Sequence, residues 1–231
     1  MDTKDLITQA ERGNAKSQLA LGRALLVEDY PHNISDSAVY WLEKAADASD
    51  ASVSMPAVKE LVKVYPVYNA TKSAEKVLER LEKFAERKNP VALLELGRIY
   101  FGDNGSAYLQ KFDFKGKLLP PLSPKKHYVY RGFSMVHEAA EISEKMGRAT
   151  PFDSTHFYVI AEIYAAWARI TKVETGRKNK YFQSLLDRYL HYAKKADAWA
   201  SDNYVRPEHK KDCAALVAFA KKMKAENMVV V

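Results

Sequence analysis

One cysteine in 231 residues, Cys213, excludes an intrachain disulfide framework. It sits in the apolar run Cys213-Ala-Ala-Leu-Val-Ala-Phe219 and reads as a small core residue, since no Cys-His motif accompanies it. Glycine and proline are scarce, nine of each, while Ala, Leu, Lys and Glu abound, a composition that favours helices over sheets because these side chains lose little freedom in a helix. No run reaches the roughly 18 apolar residues that a membrane span needs, and no apolar leader follows Met1. The expectation is a cytoplasmic protein with no membrane partner. Phosphate loops of either standard spacing are absent, as are the cysteine pairs that would hold zinc, so no cofactor or metal is expected.

What is present is unevenly charged. Residues 1–115 carry 16 Lys/Arg against 17 Asp/Glu, whereas residues 116–231 carry 20 against 12. The excess of +8 marks the C-terminal half as the side suited to an acidic partner.

Apolar residues recur at three- and four-residue spacing from Leu6 to Phe219, the stripe of amphipathic helices. Capping chemistry at Thr3, Ser35, Thr71, Asn89-Pro90, Asp153 and Arg206-Pro207 divides the chain. The resulting helices are 3–12, 15–27, 36–48, 55–65, 72–87, 90–101, 129–147, 154–172, 179–200 and 207–226. Two segments align without gaps at an offset of 75, Ala10 to Arg23 on Ala85 to Arg98, with eight of fourteen positions identical. A degenerate copy between them makes the unit about half as long, a helix–turn–helix length. Gly22, Gly97, Ala38, Ala45 and Ala46 are small enough to let helices cross closely, and Leu21, Leu25, Trp41, Leu42, Leu96, Tyr100 and Met135 fill the space beside them.

The pattern Ala10-x-x-Gly13-Asn14-Ala15-x-x-Gln18-x-x-Leu21-Gly22, followed by Ala38-x-x-Trp41-x-x-Lys44-Ala45-Ala46, resembles the Sel-one-like repeat, a branch of the tetratricopeptide-like solenoids. Leu96-Gly97-Arg98-Ile99-Tyr100 and Gly132 to Ala140 resemble the same unit, while other units keep the apolar period and lose the Gly and Trp. The resemblance implies an all-α fold, a right-handed α-solenoid of about four helix-turn-helix repeats in one domain, 1–231, with the first and last helices as polar-faced caps. It also implies a non-catalytic protein–protein interaction module, acting as adaptor, regulator or immunity-type inhibitor. Carried over residue by residue, the concave surface would be lined by Leu19, Arg23, Leu94, Arg98, Tyr158 and Glu162, next to the Leu-Gly pairs and facing away from the core.

An inserted stretch, 102–127, is longer than the family's short turn and too apolar for a free linker, with Phe112, Phe114 and the step Pro120-Pro121-Leu122-Ser123-Pro124. Phe112, Phe114, Lys125 and Lys126 join the expected partner-binding set. His137 has a carboxylate four residues on, Glu141, and the pair reads as a satisfied surface pair rather than an acid–base or metal site. Lysine pairs at 125–126, 194–195, 210–211 and 221–222, interleaved with Tyr128, Tyr130, Tyr181, Tyr189 and Tyr192, form the alternative, a nucleic-acid surface of phosphate-binding lysines and base-stacking rings. Those tyrosines also fall at core spacing. The favoured partner is therefore an acidic protein, and no catalytic residue is assigned.

Overall fold

The computed structural model describes residues 3–29, 34–68, 74–101, 126–175 and 179–227. Its elements are α1 (Thr3–Glu11), α2 (Ala15–Asp29), α3 (Asp36–Ala46), α4 (Ala51–Tyr68), α5 (Ala74–Glu86), α6 (Pro90–Phe101), α7 (Lys126–Met146), a 3-10 turn (Gly147–Ala149), α8 (Ser154–Thr175), α9 (Lys180–Asp202) and α10 (Pro207–Asn227). The described residues contain no strand, so the all-α expectation holds. No helix among them is long and apolar enough to cross a membrane. The expected cap Thr71 and most of the 102–127 insert, with Phe112, Phe114 and Lys125, lie outside the described residues, and Lys126 is known only as the first residue of α7.

Helix starts are fixed by side chains that take up otherwise unpaired backbone N–H groups. Ser35 accepts from Ala38 N at 3.2 Å, Asn89 from Val91 N and Ala92 N, and Asp153 from Thr155 N and His156 N, as the sequence suggests. Asp50 does the same for Ser52 N at 2.8 Å and so begins α4 at Ala51, four residues before the predicted start. The helix runs through both Pro56 and Pro66. Each proline lacks the N–H that a helix interior uses, and the helix continues past both.

The chain divides into two units, Met1–Gly132 and Phe133–Val231, the division falling inside α7. In the first unit α2 packs on α1, α3 and α4, α3 packs on α4, and α6 packs on α4 and α5. In the second, α9 packs on α8 and α10, and α10 also touches α8.

Small residues set the crossings in the first unit. A Cβ at Gly22 would lie 2.8 Å from Leu42 Cγ and 3.1 Å from the Leu42 backbone nitrogen. One at Gly132 would lie 2.7 Å from the Gly97 carbonyl oxygen and press on the Phe101 backbone. Around these crossings Leu42, Leu61, Tyr65, Leu81, Leu96 and Ile99 are fully buried. Trp41, expected in the core, is only half-buried, edge-on to the exposed ring of Tyr40. It follows Tyr40 on α3 and precedes the buried Leu42, so it stands at the margin of the helix's buried face.

The 75-residue repeat has a structural counterpart in two hinges. Gly13 has φ of +87° and Lys88 φ of +60°. In each hinge the left-handed residue donates to the carbonyl three residues back, Gly13 to Ala10 and Lys88 to Ala85, and the following Asn donates five back, to Gln9 and Phe84. Asn14 and Asn89 then cap α2 and α6 through their side chains. The same helix-ending motif is thus made twice, once with the residue that suits it and once with lysine.

Ion pairs join neighbouring helices of the first unit. Tyr65 on α4 donates to Glu43 on α3 at 3.1 Å, Arg80 on α5 pairs with the same carboxylate, and Lys83 on α5 and Arg87 just past its end both meet Asp47 at the end of α3. Burial holds the Glu43 carboxyl above its usual range despite the opposing pull of Arg80.

The expected cap helix α10 does not present a wholly polar outer face. Phe219 is half-exposed, and Ala214, Ala215 and Ala218 are exposed beside it.

Substituting Ala at Gly132 is expected to cost about 3 kcal/mol and at Gly22 about 1–2 kcal/mol, because the first added methyl meets fixed backbone and the second mainly a side chain that can turn. Urea unfolding of the two variants measures the order.

Candidate functional site

The described residues of the sequence-assigned binding set differ in exposure and in what they contact. Leu19 and Leu94 are corrected to core positions, 8% and 3% exposed, because the residues three before the helix glycines face the neighbouring helices. Arg23 on α2 is exposed and meets Glu60 on α4 at 3.1 Å. Arg98 on α6 is mostly covered and pairs with the nearly buried Glu95 at 3.2 Å. Tyr158 on α8 is half-buried, its ring centroid 6.0 Å from that of His209 on α10, so it contacts a neighbouring helix rather than an open groove. Burial raises its hydroxyl above the ordinary phenol range, and the carboxylate of Glu162, exposed one turn on, adds to the rise.

Beside Tyr158 lies the one cysteine. His209 Nε2 is 3.7 Å from Cys213 Sγ and 3.0 Å from Ser154 Oγ, so a Cys–His contact exists that the sequence reading did not register. The spacing of four was visible; a nucleophile was sought only as a linear motif. Burial, followed by the carboxylates of Asp197 and Asp212, pushes the Cys213 thiol up to about 11. A fully buried thiol of that acidity is neutral at pH 7 and supplies no thiolate; the Cys–His contact lies within α10, and it is the His209–Ser154 contact that ties α10 to α8.

A larger polar cluster lies between α7, α8 and α9. His137 Nδ1 is 2.5 Å from the Tyr164 hydroxyl, and Arg188 meets Glu141 at 2.5 Å. One turn along, Glu144 accepts from Lys195 at 2.7 Å and faces His191 at 3.0 Å. Aromatic rings enclose the cluster: Phe133 stacks on Trp167 at 4.7 Å, Tyr164 on Tyr192 at 5.5 Å, and Trp167 donates its indole N–H to Tyr181 at 3.0 Å. His137 is thus half-buried and bonded to a neighbouring helix. Desolvation lowers its pKa, with Glu141 opposing and Arg188 assisting, so the imidazole is neutral at pH 7. Burial raises Tyr164, with the Tyr192 hydroxyl contributing next. A protonated phenol therefore donates to a neutral imidazole, an arrangement that fixes two helices and holds no ready base. Burial opposes ionisation of Glu144, yet hydrogen bonds from Lys195 and His191 bring its carboxyl below the usual value. The outer edge of this cluster opens on a shallow depression lined by Ser184, Asp187, Arg188 and His191.

In the first unit a cavity of about 400 Å³ opens between the α3–α4 and α5–α6 turns. Phe84 and Pro90 form its buried floor, Met55 a half-exposed wall, and Asp47, Arg87 and Lys88 its rim. None of these was singled out as a binding residue. The available signal was the lysine at 88 standing where the aligned segment has Gly13. Among the described residues no group of three or more His, Cys, Asp or Glu is placed to hold a metal ion.

Because His137 is held neutral when folded but titrates near 6.5 when unfolded, the unfolded chain takes up more protons as pH falls through that value, and stability drops. His137→Gln keeps an acceptor for Tyr164 and removes this contribution. Urea midpoints compared between about pH 7 and about pH 5 are expected to fall more for the natural chain than for the variant, a window above the range in which carboxylates such as Glu144 protonate.

No family model, no characterised protein and no solved structure matches this chain.

Proposed function

We propose that this chain is a non-catalytic protein-binding module, built as a right-handed α-solenoid of Sel-one-like helix pairs, whose partner presents an acidic surface. The observation that carries the reading is the duplicated hinge. The same left-handed turn and asparagine cap precede α2 and α6, 75 residues apart, and α4 contacts both helices. Helices that repeat in this way bury themselves only by stacking on neighbours, which leaves long outer faces available to a partner.

Charge supports the choice of partner. Lys194, Lys210, Lys211 and Lys221 are exposed on α9 and α10. Arg23 on α2 adds an accessible guanidinium whose exposed pair with Glu60 is of a kind worth less than about 1 kcal/mol, so a partner's carboxylate can replace it. The chemistry in the second unit supports the non-catalytic part of the reading: His137 is neutral and bonded to the protonated Tyr164 of a neighbouring helix, and the Cys213 thiol is neutral.

Immobilised chain incubated with lysate of its native host, with bound proteins quantified by mass spectrometry, tests the reading. An acidic protein is expected to be retained, with reduced recovery on Arg23→Ala although that variant unfolds within about 1 kcal/mol of the natural chain. A mixed-sequence oligonucleotide bound tightly, with log K falling by about 0.7 per neutralised phosphate against log salt, would favour nucleic acid instead.

A further inference from the structure

Lys88 is the one non-glycine among the described residues with a positive φ, and it stands on the rim of the first unit's cavity between the α3–α4 and α5–α6 turns. The left-handed region costs a residue with a Cβ on the order of 1 kcal/mol, and Gly13 avoids that cost in the matching hinge, whose backbone hydrogen bonds are the same. Backbone strain of this kind persists where the surrounding fold holds it in place, and it collects at binding sites. What lysine adds at this position, and glycine cannot, is a charge at the mouth of the cavity.

The cavity has a mixed lining. Its volume, about 400 Å³, is at the lower end of ligand sites and suits one or two side chains. Phe84 and Pro90 close the bottom, and Met55, flexible and polarisable, adapts to the shape of an inserted group. Of the charged rim residues two are cations and one, Asp47, is a carboxylate already held by Arg87 at 2.8 Å and Lys83 at 3.3 Å. The rim is therefore net positive. The four helix ends around the cavity do not add to this, since the C-termini of α3 and α5 oppose the N-termini of α4 and α6.

We propose that this cavity docks an acidic peptide segment of the partner, which seats one apolar side chain against Phe84, Pro90 and Met55 and sets a neighbouring carboxylate against Lys88 and Arg87. This rests on the protein-binding reading and gives it a location, the edge formed by the inter-helix turns. An anchor in a desolvated pocket with a charge pair at its rim is how a short segment gains affinity and register.

Fluorescein-labelled heptapeptides with a central Leu or Phe, flanked by glutamates, glutamines or lysines, provide the probe, read by anisotropy on the full chain. The glutamate-flanked peptides are expected to bind and the lysine-flanked ones not. Lys88→Glu is expected to abolish binding. Lys88→Gly separates function from structure: it relieves the strained turn, so the chain should melt higher, yet affinity should fall by about tenfold or more. Equal binding to the natural chain, Lys88→Gly and Lys88→Glu would place the acidic peptide elsewhere, which overturns the site and leaves the protein-binding reading standing. Lack of saturable binding by every peptide, or a Lys88→Gly variant that melts lower, would overturn the proposal outright, whereas the broader reading fails separately if the full chain retains no protein from lysate.

Discussion

Close backbone approach is the constraint on which the first unit depends. With Gly22 against Leu42 and Gly132 against the Gly97 carbonyl, helices come near enough that Leu42, Leu96 and Ile99 lose their contact with water. Widening either crossing by one methyl would separate the faces that bury Leu42, Leu96 and Ile99, so two hydrogens in place of side chains govern much of the unit's hydrophobic stabilisation. The ion pairs add direction to this packing. Glu43 on α3 and Asp47 at its end receive Tyr65 from α4, Arg80 and Lys83 from α5 and Arg87 just past α5, which fixes how α5 is rotated about its own axis. The second unit solves the same problem with rings, packing Phe133, Trp167, Tyr164 and Tyr192 where the first uses glycine and leucine.

Most helix boundaries were legible because they are set locally. A capping serine or asparagine acts within three residues of itself, and the apolar period shows in any window of a dozen. The start of α4 was misplaced because Asp50 and Pro56 give opposing local signals, and only the full helix shows that the cap prevails over the proline. The site residues were less legible. Which face of α2 or α6 is covered depends on what packs there, so Leu19 and Leu94 were taken for surface when they are core, while Arg23 was placed correctly. His137 and Glu141 were visible as a pair, but their true partners, Tyr164 and Arg188, come from helices 27 and 47 residues further on. Lys88 was visible as a departure from Gly13, and its significance needed a φ angle.

The buried tyrosines carry a consequence for the chain's behaviour in base. Tyr65, Tyr164, Tyr189 and Tyr192 are held above the normal phenol range first of all by burial, Tyr189 at about 12. In the unfolded chain each releases its proton near 10, so above that value the unfolded state is favoured increasingly by every one of them. Ionisation and loss of structure are thereby a single event for these four of the fourteen tyrosines. In an alkaline titration followed by phenolate absorbance, the exposed rings would ionise gradually, and the buried set would follow in one steep, late step that marks the collapse of the helix packing.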